Sequence, residues 1–496
     1  MLRDADGTPM NTEGQELVET LARIEEALDA LVTRGLRAVG PDDRTALESY
    51  EAEIRAMGAT HLADALAELL TAVREGDRAG SVVLLRTQVR LRLLERLLTL
   101  RLVEAELRTV TEPAALDAGP APKAPPLPTE DAAFLGRLAE AIETLLQSGL
   151  SAASKASVDA LKVSFEEASR RRLLRLGSTL RIASEEVARF TRQDASFSPD
   201  RLSFFLGRAW VLARGMEAAL ADQDADGWAR LTSGPETVPM KELALVVVGV
   251  FKRHVPGAFA AFELRCRVTE DAKPLKRGDA ISWSFVFPLR EDQKVPPEAM
   301  LMLEQKQKFR PNELLEGKVV RVGGQVAISQ GDPRRLMLGP KATVAIDAEP
   351  FTEWLELTRW EPGATLAKIT GHQPDPLSLP IELQDEAMLL RWSMEELVEG
   401  EKHTTAALQV QLDDAEVPLT FELRAPIGDS GSPLRKALDE ARKQDPRPPL
   451  FGFLHFEHGK LVLEPLSLLG DERPTMIALD PKNVDKAALV RAMTFD

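Results

Sequence analysis

The stretch Leu21–Ala38, LARIEEALDALVTRGLRA, returns later in the chain as Leu135–Ala152, LGRLAEAIETLLQSGLSA. The offset between the two copies is constant, so Gly149 is the counterpart of Gly35 (149 − 35 = 114). The matching residues are mostly apolar and recur at helical spacing, which indicates that a packing pattern has been duplicated. No polar residue type suited to chemistry recurs between the copies at a spacing typical of a cleft, so the repeat predicts architecture rather than a reaction.

The same offset continues without a gap through two further helical segments, in the pairs Leu31/Leu145, Leu36/Leu150, Ala46/Ala160, Leu47/Leu161, Leu62/Leu176, Leu66/Leu180 and Val73/Val187. A long Leu-rich helix from about Ser81 to Leu107 completes the first copy. We therefore predict a four-helix bundle over residues 15–110 and a second copy over residues 131–232. A Pro/Ala-rich linker, residues 111–130, separates them.

Local signals mark the helix ends in both copies. Gly35 and Gly58 are typical left-handed stops, and Asp42 or Asp43 is expected to cap the second helix. In the second copy, Ser198 is followed by proline, which indicates a capped helix running through Trp210. Residues 1–14 are polar and lack periodicity, so we expect a disordered leader.

Beyond Met240 the hydrophobic period changes from helical to alternating. Phe262, Leu264, Cys266 and Val268 alternate with charged residues, as in a half-buried strand. We predict a hairpin over Lys318–Ser329 that turns at Gly323-Gly324, and a second hairpin that turns at His458-Gly459. Short helices are expected near 298–306, 434–443 and 484–493. The C-terminal half is thus expected to be α+β, with small antiparallel sheets or barrels in a β-rich module (240–346) and an α+β module (347–496).

Composition restricts the function. The 496 residues carry a formal net charge of −16, which argues against a nucleic-acid-binding protein. Cys266 is the only cysteine, so the chain has no internal disulfide and no thiolate cluster for zinc. The charged N-terminus lacks the apolar core of a signal peptide, and no stretch reaches the length of a membrane span. We therefore expect a cytoplasmic protein with no membrane partner.

Gly428–Pro433, GDSGSP, resembles the nucleophile motif of trypsin-like serine proteases, with Ser430 as the nucleophile. That chemistry also needs a histidine base. None of the upstream histidines His61, His254, His372 and His403 has the sequence setting of that family. Because Ser432-Pro433 leads directly into LRKALDEARK, we interpret this stretch as a loop and a helix start, with no catalytic role for Ser430.

Two further motifs suggest metal ligands. Asp222, Asp224, Asp226 and Gly227 match the first half of a calcium-binding EF-hand loop, but the twelfth position, Ser233, lacks the bidentate glutamate. We interpret them as a solvated acidic turn.

His455 and His458 flank a hairpin turn at a spacing that would allow a shared metal. No cysteine or third histidine lies nearby in the sequence.

Cys266 is interpreted as a core residue, and the arginines of the fourth helix as members of salt bridges. Neither G-x-G-x-x-G nor a Walker lysine is present. We predict no catalytic, cofactor-binding or metal residues, and no cofactor.

The helical repeat, LARIEEALDALVTRGLRAV…LADALAELLTAV, followed by GKLVLEPLSLLGD-type hairpins, resembles uncharacterised bacterial proteins that accompany SWIM zinc-finger proteins. Those systems also contain MoxR-type ATPases and von Willebrand A-type partners. The SWIM pattern C-x-C…C-x-H is absent here, so no functional residue is transferred. The resemblance implies an accessory or scaffold component of a multi-protein assembly.

The leading hypothesis is a non-enzymatic scaffold or adaptor that docks protein partners in a cytoplasmic bacterial assembly, because packing is preserved without chemistry. One alternative is a hydrolase in the β-rich half, which clustering of His403, His455 or His458 with carboxylates in one deep pocket would favour. The other is weak nucleic-acid binding by that half, which a localised basic face would favour.

Overall fold

In the computed structural model the described residues are 11–75, 79–114, 127–128, 131–151, 155–232, 237–255, 259–289, 296–329, 334–377, 383–400, 403–412, 418–426, 432–470 and 474–476. The chain divides into two compact units. The first contains Met1–Leu102, Asp117–Gly234 and Gln373–Leu379. The second contains Val103–Leu116, Pro235–His372 and Pro380–Asp496. The N-terminal half is helical and the C-terminal half contains two β-sheets, so the predicted division into an all-α half and a sheet-rich half is confirmed.

The described part of the N-terminal half contains helices α1 (Asn11–Arg34), α2 (Pro41–Ala56), α3 (Thr60–Glu75), α4 (Ala79–Leu107), α5 (Ala132–Ser148), α6 (Lys155–Arg170), α7 (Leu174–Thr191), α8 (Pro199–Ala221) and α9 (Ala225–Thr232). Their apolar faces form one core, and the apolar residues that recur at helical spacing in α1 are buried in it, with Leu21, Ile24 and Leu28 fully inaccessible. Burial of these stripes, rather than propensity, holds such helices together.

The helix ends follow the sequence signals in part. Gly35 and Gly58 have φ angles of +87° and +83°, as predicted for helix stops. The hydroxyl of Ser198 accepts a hydrogen bond from the Arg201 N–H, which confirms its capping role. The predicted aspartate cap of α2 is wrong: Gly40 holds that position, and Asp43 instead accepts from the Gly40 N–H.

The first helix also begins earlier than predicted. Residues 11–14 belong to α1 rather than to a leader. A β-carbon built on Gly14 would lie 3.0 Å from the Leu102 side chain, so this turn has a packing neighbour that the local sequence does not show. Residues 1–10 lie outside the described residues.

The first sheet has six strands: β1 (Thr237–Val255), β2 (Phe259–Val268), β3 (Ala280–Pro288), β4 (Lys318–Ser329), β5 (Arg334–Leu338) and β6 (Thr343–Pro350). Their order is β1-β2-β3-β5-β4-β6. Because β1 also pairs with β4, the run of paired strands from β1 to β4 closes on itself, and β6 is attached to β4. The β3–β5 ladder is parallel, whereas we expected only antiparallel pairing. The connection between the two strands is long and includes β4, which allows β5 to run parallel to β3.

The hairpin predicted at Gly323-Gly324 is wrong, because Lys318–Ser329 is one continuous strand, β4. Gly324, at φ +75°, lies where the pairing of β4 with β1 slips: Met240 is opposite Val326, but Glu242 is opposite Gly323. The glycines therefore form a bulge rather than a turn. The helix expected near 298–306 is a 3-10 helix, Pro297–Met302.

The second sheet contains β7 (Asp385–Leu389), β8 (Trp392–Met394), β9 (Val398–Glu399), β10 (His403–Val410), β11 (Leu419–Pro426), β12 (Leu450–Glu457), β13 (Lys460–Leu469) and β14 (Pro474–Met476). Its main order is β7-β12-β13-β11-β10-β8, and the β11–β13 pair is parallel. His458 and Gly459 have φ of +49° and +72°, which confirms the predicted hairpin turn. The described part of this half also contains the short helices α10 (Trp354–Leu357), α11 (Pro362–Gly371) and α12 (Ser432–Ala441). The helix expected near 484–493 lies outside the described residues.

The two sheets pack against each other within the second unit. Val246 and Val248 of β1 share a buried cluster with Phe451 and Phe453 of β12. The Ser467 hydroxyl donates to the Val248 carbonyl oxygen at 2.6 Å in this interface. Because this second layer covers the outer side of the first sheet, strands of the first sheet are buried on both faces.

That arrangement corrects one expectation about β2. Arg265 and Arg267 were predicted to face solvent, but they are only 2% and 7% exposed. Both form ion pairs with Glu386 of β7, and their guanidinium groups lie over the rings of Phe453 and Phe451, respectively. Buried charges require such partners.

Candidate acidic site of the helical unit

A group of acidic side chains lies where α1, α4 and α8 meet. Glu25 and Asp29 are one turn apart on α1 and therefore share a face of that helix. Asp200 is in the first turn of α8, where a negative charge is favoured by the helix dipole. One carboxylate oxygen from each of the three lies within 4.8 Å of the others, an arrangement that could hold a metal ion.

Arg92 of α4 is the positive group in this cluster. Its Nε donates to Oε1 of Glu25 at 2.6 Å, and its Nη2 lies 3.3 Å from Oδ1 of Asp29. The guanidinium also lies over the Phe204 ring, 5.4 Å from the centroid. One guanidinium thus faces three carboxylates, so the cluster has an excess of negative charge when all are ionised.

Two neutral polar groups complete the site. Gln88 of α4 donates through Nε2 to Oδ1 of Asp29 at 3.1 Å and to Oγ of Ser203 at 2.6 Å. Nη2 of Arg92 also lies 3.2 Å from Oγ of Ser203. Gln88 is 2% exposed, and its amide oxygen has no hydrogen-bond partner among the described residues.

Burial determines the electrostatics of the site. Asp29 is 3% exposed. Loss of hydration raises its pKa to about 7, although Arg92 and a hydrogen bond from Ser203 lower it; the charges of Glu25 and Asp200 raise it further. Burial lowers the pKa of Arg92, but the charges of Glu25 and Asp29 outweigh this effect, and the net shift is upward. The guanidinium therefore stays charged, while Asp29 is poised to hold or release a proton.

A second buried carboxylate provides an internal comparison. Glu143 of α5 is the counterpart of Asp29 at the repeat offset (143 − 29 = 114). It accepts hydrogen bonds from Nε1 of Trp210 at 2.9 Å and from Nη2 of Arg214 at 2.7 Å. The counterpart of Glu25, however, is Ala139 (139 − 25 = 114). Both positions therefore pair a buried acid with an arginine. Arg214 also pairs with Glu217 at 2.8 Å, so two carboxylates share one arginine there, whereas three lie around Arg92 at the Asp29 position.

The acidic turn Asp222, Asp224 and Asp226 has a structural role. Oδ1 of Asp224 accepts a hydrogen bond from the Gly227 N–H at 2.9 Å, which caps the start of α9. These three carboxylates do not form a metal-binding group of the kind that Glu25, Asp29 and Asp200 form, although all three lie among the described residues. The interpretation as an acidic turn at a helix end agrees with this geometry.

The histidines of the hydrolase alternative, His403, His455 and His458, lie at two places in the second sheet. His455 and His458 lie near Glu457, whose pKa is raised by burial but lowered more strongly by the charges of His455, Arg424 and His458. Arg424 forms ion pairs with both Glu457 and Glu422. His403 is at the start of β10, opposite Pro426. Glu457 is thus part of an ion-pair network across β11 and β12.

The remaining sequence candidates contribute no reactive group to the described structure. Ser430 lies outside the described residues, and so does most of its motif. Cys266 is 1% exposed, and burial raises the pKa of its thiol to about 12, so it is a core residue in its protonated form.

The acidic cluster was not predicted from the sequence. Asp29 and Glu143, two acids of different type, occupy the same place inside the two quoted stretches. An acid recurring within an apolar stripe is the signal that could have identified it, since a carboxylate is rarely buried without a partner. Gln88 and Asp200 carried no comparable signal.

Comparison with known proteins gives no match to a protein-family model, to a curated protein or to a solved structure. Among the described residues, no helix combines the length and the apolar character that a membrane crossing requires.

Proposed function

We propose that this chain is a non-enzymatic docking protein of a cytoplasmic bacterial assembly, and that the free edge of strand β6 binds an extended segment of a protein partner. The observation that carries the proposal is the geometry of β6. It pairs with β4 on one side, and no described strand pairs with its other side. An unpaired edge presents a row of backbone N–H and C=O groups to which a further strand can add.

The length of β6 distinguishes it from the other edges. It has eight residues, whereas the edge strands of the second sheet, β7, β8, β9 and β14, have five, three, two and three. Short edge strands are a common protection against unwanted pairing. On β6, Thr343 and Ala345 are exposed, while Val344 and Ile346 are partly buried against the core of the sheet. A strand held in this way is a preformed template.

The charge of β6 indicates the kind of partner. Asp347 and Glu349 are the ionisable side chains of the strand, and both are acidic. Nε of Arg321 lies 3.4 Å from Oδ2 of Asp347 and forms an ion pair with it. Glu349, in contrast, is exposed and has no ion pair among the described residues. The whole chain carries a net charge of −16. These acids disfavour self-association through the edge and favour a basic extended segment.

We further infer that residues 15–110 and 131–232 are two copies of one four-helix unit. The order of α1–α4 and α5–α8 supports this inference, and α9 is an additional helix at the end of the second range. Gly35 and Gly149 end the first helix of each copy with φ of +87° and +71°. The resemblance to accessory proteins of the SWIM and MoxR systems is in line with a docking role.

Site-specific photo-crosslinking tests the proposal. A photoreactive amino acid in place of Ala345 should crosslink a protein partner in the native cells, because this side chain is exposed on β6. The same group at Glu396, exposed in a loop of the second unit, is the matched control. Two results would contradict docking at β6. One is crosslinking of the same proteins with equal yield from positions 345 and 396, and the other is no crosslinking from either position.

A further inference from the structure

The acidic cluster contains more negative charge than its arginine neutralises, and the buried amide oxygen of Gln88 has no hydrogen-bond partner within the described part of the chain. From the geometry of Glu25, Asp29, Asp200 and Gln88 we propose that a calcium ion binds between α1 and α8. This site goes beyond docking at β6 and does not depend on it. Calcium prefers six to eight oxygen ligands in flexible geometry, which matches a set of carboxylates and an amide.

The spacing of the carboxylates fits such an ion. Oxygens that lie within 4.8 Å of one another can be reached from a common centre at about 2.3–2.8 Å, close to the usual calcium–oxygen distance. Arg92 and Gln88 donate to Oδ1 of Asp29, and Arg92 donates to Oε1 of Glu25. The second oxygen of Glu25 and the exposed Asp200 carboxylate are not engaged by these bonds, so an ion would not have to displace Arg92.

Gln88 supplies an independent indication of a ligand. Its side chain is 2% exposed and its Oε1 has no hydrogen-bond partner among the described residues. Because Nε2 of the same planar amide is 3.1 Å from Oδ1 of Asp29, Oε1 lies within about 5.5 Å of that oxygen. A buried amide oxygen without a partner is costly, and a cation adjacent to it would remove that cost.

The counterpart position has a smaller excess of acid. Glu143 accepts from Trp210 and Arg214, with Ala139 in place of Glu25. Arg214 also pairs with Glu217, so two carboxylates share one arginine there, whereas three carboxylates lie around Arg92. The additional charge around Asp29 increases repulsion unless a cation is present. This difference favours an ion-binding role for the first position.

Calorimetric titration of the full chain with CaCl₂, at constant ionic strength, tests the site. We expect one ion per chain with a dissociation constant of about 0.1–1 mM, since Arg92 weakens the site. About 10 mM CaCl₂ should raise the melting temperature of the helical unit by roughly 3–10 °C. Asp200→Asn should weaken binding at least about tenfold. This exposed residue can be replaced without opening the core.

Asp226→Asn is the matched control, because Asp226 is likewise an acid in the first turn of a helix, α9. Its calcium binding should equal that of the unchanged chain. Glu25→Gln provides a second test should Asp200→Asn alter the fold, as judged by circular dichroism. Absence of binding up to about 10 mM CaCl₂ would overturn the proposal. So would binding that survives both Asp200→Asn and Glu25→Gln, or binding that is lost in Asp226→Asn.

Discussion

Gly35 and Gly149 lie backbone to backbone: a β-carbon on Gly35 would overlap the amide nitrogen of Gly149, and one on Gly149 would overlap the carbonyl oxygen of Arg34. Both glycines have positive φ, and they directly follow α1 and α5, respectively. The N–H of Leu150 donates to the Thr33 carbonyl oxygen at 2.9 Å beside this contact. The two copies of the repeated sequence stretch therefore contact each other at equivalent residues.

Replacement of either glycine by alanine should destabilise the helical unit by about 3 kcal/mol or more, since left-handed backbone strain adds to a backbone clash. Gly58→Ala separates the two effects. Gly58 has φ of +83° but no atom within 4 Å of a built β-carbon, so only about 1–2 kcal/mol is expected. Chemical denaturation of the three variants would measure this difference. Equal losses at all three positions would show that the contact has no special role.

Glu386 is expected to be a major determinant of stability in the second unit. Its side chain is 8% exposed and pairs with the buried Arg265 and Arg267, so Glu386→Ala leaves two buried cations without this partner. The free energy of unfolding should fall by about 3–5 kcal/mol. Glu353→Ala, which breaks the exposed pair with Arg277 at 2.5 Å, should cost no more than about 1 kcal/mol. Similar losses in both variants would argue against the buried network.

The pH dependence of stability should reveal Glu464. Burial raises its pKa from 4.5 to about 7; Arg253, Arg424 and Arg265 oppose this shift, and Glu457 adds to it. The pKa of Glu464 is higher in the folded state than in the unfolded chain. Its contribution to the free energy of unfolding is therefore fully present below pH 4.5 and is lost as the pH rises through about 7. The stability difference between the unchanged chain and Glu464→Gln should fall by up to about 3 kcal/mol over this range.

Glu457 is the control of opposite sign for that measurement. Its pKa is lowered in the folded state, because the charges of His455, Arg424 and His458 outweigh the effect of burial. Its contribution is therefore present above the ordinary pKa of 4.5 and is lost as the pH falls below it. The stability difference from the unchanged chain should therefore change with pH in opposite directions for Glu464→Gln and Glu457→Gln. A change in the same direction for both variants would contradict the two pKa directions.

Asp224 should contribute to stability as a helix cap. Asp224→Ala removes the acceptor of the Gly227 N–H and should lower the free energy of unfolding by about 1 kcal/mol. Asp222→Ala, which leaves the cap in place, is the control. A loss in the Asp224 variant that appears only in the presence of calcium would instead indicate an ion at this turn.

Local periodicity and glycine signals predicted the helices, the left-handed stops and the His458-Gly459 hairpin, because these depend on residues close in sequence. Failures occurred where distant segments decide the outcome. Gly324 forms a bulge because β1 pairs across it, and Arg265 is buried because a second sheet covers β2. The acidic cluster has the same origin: Asp29, Arg92 and Asp200 belong to three helices, and their juxtaposition is set by packing.

Charge reversal on the edge of β6 tests docking most directly. The tagged chain would be purified from its native cells alongside Glu349→Lys and Glu396→Lys, which change the net charge equally at two exposed positions. We predict a protein partner, crosslinked from position 345, that co-purifies with the unchanged chain and with Glu396→Lys but is reduced at least about tenfold with Glu349→Lys. Equal recovery of that partner with Glu349→Lys and Glu396→Lys would contradict a docking site at β6.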